Sequence, residues 1–307
     1  MIGALSGFAV VGFAILVGYI TGRVKLLGPS GREVLNKLAF YVCSPLLLFT
    51  ILGTTNVATL FSNLLPVSVI ASASMFIVFI VFALVRRQDF GTAVVGALGS
   101  GYVNANNIGI PIAVFMLGGA AFAAPIILLQ LIFWAPLALI CLDAWKSGSL
   151  QIHKTVFRTF KNPVIGGSLL GLLISVFNIK LPQIVWDATG MVGHAAVPLL
   201  LIAFGISLNG TKILETKDQR VNVIAASILK LVAMPIVAWA LAAFVFHLDA
   251  HSIYAVTVLA ALPVAANVFN YASEYDTGLL LARDVIFITT FGAVPVLFFV
   301  TLLLAPQ

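Results

Sequence analysis

The chain has 307 residues, of which 62% are hydrophobic and only 8% charged, with a formal net charge of +6. A water-soluble domain of this size would carry roughly 25% charged residues, so these proportions exclude an ordinary soluble globule. The sequence pI near 9.5 does not point to nucleic acid, because the basic residues are scattered singly and in pairs through short connections.

Taken in chain order, apolar runs predict spans at 3–21, 34–53, 64–85, 92–117, 120–142, 163–179, 187–208, 222–246, 252–275 and 281–304. Most approach the ~20 residues a helix needs to cross about 30 Å of hydrocarbon. A β-barrel would show short alternating segments instead. The first run lacks a positive n-region and is read as a retained helix, not a cleaved signal. Both cysteines, Cys43 and Cys141, fall inside apolar runs and read as small core residues.

The basic residues test that order independently. Arg23, Lys25, Arg32 and Lys37 flank the first connection, Arg86 and Arg87 the third, and Lys146, Lys154, Arg158 and Lys161 the fifth. Lys212, Lys217 and Arg220 fall in the seventh and Arg283 at the ninth. Thus 14 of the 16 lie on alternate connections, leaving Lys180 on an even one and Lys230 inside a span. The positive-inside rule then makes the odd connections cytoplasmic and puts both termini on the outer side.

The runs also repeat. Span two carries Pro45-Leu46-Leu47-Leu48 and span seven Pro198-Leu199-Leu200-Leu201. About 60 residues after each proline comes a span interrupted by helix breakers and asparagines. The first is Gly101 to Pro111, holding Asn104, Asn106, Asn107 and Gly109; the second is Pro263 to Asn270, holding Asn267. Five spans per unit is an odd number, so the second copy enters the membrane upside down. The expected fold is an all-α polytopic membrane protein of ten transmembrane helices, built as two inverted five-helix repeats with helices 4 and 9 broken. Residues 1–142 form the first repeat, 143–162 a cytoplasmic linker and 163–307 the second repeat.

Broken helices in matching positions are the sequence pointer to a transporter's binding site. Proline withholds a donor and its ring blocks the preceding turn, so Pro111 and Pro263 favour unwound segments facing a cavity. A half-helix starting after such a break aims its positive end at the cavity and favours an anion. The competing reading is polar glue between helices with a harmless kink. Its weight falls because the pattern occurs twice. Lys230 lies nine residues into span eight, beyond comfortable snorkelling reach, and should face protein or water. His194 reads as a structural histidine, and His247-Leu248-Asp249-Ala250-His251 as a weak metal pattern. No Walker A loop, His-Glu-x-x-His or nucleophile elbow is present, which argues against an ATP-driven pump or an enzyme.

With these motifs the chain resembles the auxin efflux carrier (PIN-like) family, in particular its short bacterial members. The residues that carry the resemblance are Asn104 to Pro111, Pro198 to Leu208 in span seven, and Ala261-Leu262-Pro263 with Phe269 and Ala272 to Tyr275 in span nine. Lys230, five residues before Pro235, matches a basic residue common in the family's eighth span. The resemblance implies crossing broken helices in a transport domain, moving against a scaffold of spans one, two, six and seven that forms homodimers. It also implies a small organic anion as substrate, such as an auxin-like carboxylate, malonate or malate, and a bacterial inner-membrane location. Asn104, Asn106, Asn107, Asn267 and Asn270 are the expected substrate ligands, with Lys230 as counter-charge. No cofactor, metal or nucleic acid is expected. Alternatives are a sodium-coupled symporter similar to the bile-acid carriers, against which the Lys230 ammonium argues, and a channel or receptor. Span nine departs from the plant pattern at Val264 and Asn267, which counts against auxin itself.

Overall fold

The computed structural model describes residues 2–54, 64–147, 163–209, 214 and 217–306. Most of the expected linker, including Lys154, Arg158 and Lys161, lies outside them, as does Lys212. The regular structure of the described residues is helical, joined by short turns, apart from one antiparallel bridge between Val103 and Val264.

In chain order the helices are α1 (Ile2–Arg23), α2 (Gly31–Thr54), α3 (Leu64–Val85), α4 (Phe90–Gly101), α5 (Ala105–Leu117) and α6 (Ala121–Lys146). They continue as α7 (Pro163–Val176), α8 (Gln183–Gly193), α9 (Ala196–Ser207) and α10 (Gln219–Val245). The last three are α11 (Ala250–Ala260), α12 (Asn267–Tyr275) and α13 (Leu279–Leu304). Six stretches are long and apolar enough to cross a membrane: α2, α3, α6, Gln183–Ala203, α10 and α13. Four shorter apolar helices, α4, α5, α7 and α11, accompany them. The protein is therefore a polytopic α-helical membrane protein.

Where the helices differ from the expected spans, proline and polar ends are the cause. The expected span 187–208 starts at Gln183 and is interrupted by a turn at His194–Ala195, four residues before Pro198, whose missing N–H cannot bond back. The helix expected from 222 already runs from Gln219, because hydropathy marks the apolar window and not the polar first turn. Wide π turns at Ala39–Cys43, Gln130–Trp134 and Leu229–Ala233 each end two residues before a proline, Pro45, Pro136 or Pro235. The extra residue per turn absorbs the bond that the proline cannot make.

The helices pack in two groups. In the first, α1 lies on α9, while α7 and α8 lie on α2. These contacts need glycine: a Cβ at Gly205 would sit 2.1 Å from the Ile15 carbonyl oxygen, and one at Gly167 would sit 2.3 Å from that of Pro45. In the second, α3, α6, α10 and α13 pack around the two short apolar helices α4 and α11. Phe79, Val95, Leu142, Val223, Val268 and Val285 form part of one buried cluster at its heart. Helix α5 leaves this group and touches α1 and α9 of the first.

Candidate functional site

The site begins with two interruptions. Helix α4 stops at Gly101 and α5 starts at Ala105; α11 stops at Ala260 and α12 starts at Asn267. Each gap frees backbone groups that hydrocarbon cannot satisfy. They satisfy one another. Asn104 N donates to Pro263 O at 2.7 Å and Ala265 N to Tyr102 O at 3.1 Å, making the single antiparallel bridge among the described residues where the two breaks meet.

Two neighbouring side chains complete the pairing. Gln130 on α6 donates from Nε2 to Val103 O at 2.8 Å, and Thr289 on α13 accepts from Val264 N at 3.1 Å. Both residues are buried. Val103 and Val264, the bridge pair, are thus each held by the helix that follows their own broken span. Pattern reading missed both residues, because a lone Gln or Thr in an apolar run carries no signal of what it faces.

Beside the meeting point lies a cavity of about 720 Å³. Asn104, Asn106, Asn107, Asn267 and Asn270 all line it, with Ser44, Tyr102 and Gln130. The five asparagines named from the sequence are therefore brought together on one space. Asn104 shapes the start of α5: its Oδ1 accepts from Asn107 N at 3.2 Å, and its carbonyl accepts from Gly109 N at 2.8 Å. Asn106 Nδ2 donates to Asn107 Oδ1 at 3.1 Å. The Tyr102 hydroxyl interacts with Asn267 and Tyr271. Gly109 and Pro111 sit within the first turns of α5, both buried; a Cβ at Gly109 would lie 2.8 Å from Leu262 of the other break.

The helix ends give the cavity its electrostatic sign. Ala105, Asn106 and Asn107 open α5, Asn267 opens α12, and all four line the cavity. Two half-helices therefore aim their N-termini into one space, each end equivalent to about half a positive charge. At the far end Arg32, Glu33, Asn36 and Lys37 from the first turns of α2 line the mouth. Lys37 Nζ pairs with Glu33 at 2.6 Å.

Lys230 is elsewhere. It is fully buried and absent from the cavity lining; its ammonium donates to Ala260 O at 2.5 Å and to Met234 Sδ at 3.3 Å. Ala260 is the last residue of α11, so the ammonium sits on the negative end of that half-helix.

No group of three or more metal-ligating side chains comes together among the described residues. In the His247–His251 segment Asp249 caps α11, accepting from His251 N and Ser252 N at 3.0 and 3.1 Å. Its bonds from the Ser252 hydroxyl and N–H hold the carboxyl below the usual range.

A family model described as "Membrane transport protein" matches residues 7–301. The chain belongs to this auxin-efflux-carrier-like membrane transport family. It is 24% identical over 283 residues to an uncharacterized transporter of Methanothermobacter thermautotrophicus, covering 90% of both chains. It is also 24% identical over 288 residues to a Rhizobium meliloti (strain 1021) protein provisionally named a malonate transporter, covering 90% of this chain and 88% of that one.

Proposed function

We propose that this family member is a secondary carrier of a small organic anion, working by alternating access. One observation carries the reading: two half-helix N-termini and five asparagines converge on a single cavity beside paired, unwound segments. Neutral amide donors and helix ends bind an anion without the heavy desolvation cost of a fixed buried cation. The provisional malonate assignment of the Rhizobium relative supports a carboxylate as the class.

The architecture we propose for it is ten spans in two inverted repeats, 1–142 and 163–307, joined by 143–162. Spans four and nine are then α4 with α5 and α11 with α12. The contacts support this pairing twice over. Span one meets span seven at Gly205, and span six meets span two at Gly167, which are equivalent contacts if spans one to five repeat as six to ten. Likewise Gln130 in span five and Thr289 in span ten hold the two breaks in equivalent ways. Spans one, two, six and seven would stay fixed, as a homodimeric scaffold, while the rest move.

Under the positive-inside rule the Arg32 mouth of the cavity faces the cytoplasm of a plasma or bacterial inner membrane. In a background with Cys43 and Cys141 replaced, a cysteine at Arg87 is expected to be shielded from an impermeant thiol reagent in intact cells. One at Lys180 should react. Labelling at Arg87 from outside would reverse the orientation. Carriage itself is tested by counterflow in proteoliposomes: saturable exchange of labelled malonate for internal malonate is the expected result. Ohmic single-channel currents would replace the carrier reading with a channel.

A further inference from the structure

We infer that the cavity binds its carboxylate ligand as a monoanion, so that a dicarboxylate is carried with one of its two carboxyls protonated. This rests on the organic-anion reading above and adds the protonation state of the cargo to it.

The argument starts from where charge is and is not. The titratable groups lining the cavity are Arg32, Glu33, Lys37 and Tyr41 from α2 and Tyr102 from the first break; the lining residues of α6, α7, α9 and α12 add none. Arg32 and Lys37 lie in the first turns of α2, and Lys37 is already paired with Glu33. Ser44, whose Oγ is 3.5 Å from Asn106 Nδ2, is 12 residues beyond Arg32 on the same helix. That separation is about 18 Å of helix rise, well over twice the length of an arginine side chain. Lys230 spends its ammonium on Ala260 O. No side-chain cation therefore reaches the asparagine end of the cavity among the described residues.

What remains there is dipolar. Two helix ends of about half a charge each sum to roughly one positive charge, which balances one carboxylate and not two. Each ionised carboxylate adds its own cost of leaving water, so a dianion faces at least about twice the penalty of a monoanion with no added compensation.

A second observation is independent of the charge count. Asn106 Oδ1 is buried and has no hydrogen-bond partner, while the Nδ2 of the same amide is engaged by Asn107 Oδ1. An ionised carboxylate only accepts and leaves such an oxygen orphaned. A protonated carboxyl brings an O–H that can donate to it once the Asn106 side chain, which lines the cavity, turns its amide toward the ligand. The proton comes from bulk water, bound to the ligand before entry, so no protein group has to release it.

The test measures binding to purified protein in nanodiscs with two probes, malonate and its monomethyl ester, from about pH 5 to pH 8. Malonate affinity is expected to fall roughly tenfold per pH unit above the diacid's second pKa, while the half-ester stays flat. Asn106→Leu is expected to weaken malonate at low pH by about 5- to 10-fold, the loss of one hydrogen bond, and more than it weakens the half-ester. A malonate affinity that is flat or rises with pH overturns the inference alone, provided the half-ester binds. Parallel pH dependence of both probes also overturns it, since the protein and not the ligand would then be titrating. Binding of neither probe overturns it together with the organic-anion reading.

Discussion

Asn104→Ala and Asn267→Ala are each expected to lower carboxylate affinity by roughly 10- to 150-fold. The figure follows from losing hydrogen bonds to a charged group, worth about 1.5–3 kcal/mol. Melting temperature should move much less. Both side chains line an open cavity, where water can replace the missing amide, and the pairing of the two breaks runs through the Asn104 backbone N–H, which alanine keeps. Asn104 also caps α5, a role worth about 0.5–2 kcal/mol, so a modest stability loss is expected there and none of that origin at Asn267. A large drop in stability with unchanged affinity in both variants would make the asparagines structural glue.

Gly167→Ala is expected to destabilise the protein by about 1–3 kcal/mol or more, and Gly166→Ala to be neutral or slightly stabilising. The two glycines are neighbours on α7, so helix propensity favours alanine equally at both. Their surroundings differ. A Cβ on Gly167 meets backbone of α2, with the Pro45 oxygen at 2.3 Å and its carbonyl carbon at 2.8 Å, whereas a Cβ on Gly166 meets nothing within 4 Å. Backbone cannot swing aside as a side chain can, so α2 and α7 must separate and lose packing along their length. Thermal melts of the two variants in one detergent check this. Equal melting temperatures would mean that the tight α2–α7 contact does not hold the first helix group together.

The breaks were legible in the sequence because proline, glycine and asparagine are costly inside an apolar run. Asn104 to Pro111 and Pro263 to Asn270 therefore stood out, and the five asparagines do share one cavity. The family resemblance implied that the two breaks cross, but which side chains would hold them was not legible. Gln130 and Thr289 look like unremarkable polar residues in helices, and only the fold brings them to Val103 and Val264. The direction of Lys230 was hidden for a related reason. It sits in a π turn that shifts the helical register, so depth along the span is readable while the side it faces is not. Depth suggested a counter-charge for the anion; the geometry puts the ammonium on the C-terminal end of α11. Ser44 and Tyr102 were missed because a lone Ser or Tyr in an apolar run does not show which residue it will meet, here Asn106 for Ser44 and Asn267 for Tyr102.

The central claim is that the paired breaks and their asparagines form one carboxylate site. A structure of the protein determined with malonate bound measures this most directly. The account predicts ligand density between Asn104 and Asn267, against the first turns of α5 and α12. Density confined to the Arg32 mouth, with the asparagine end filled only by water, would contradict it.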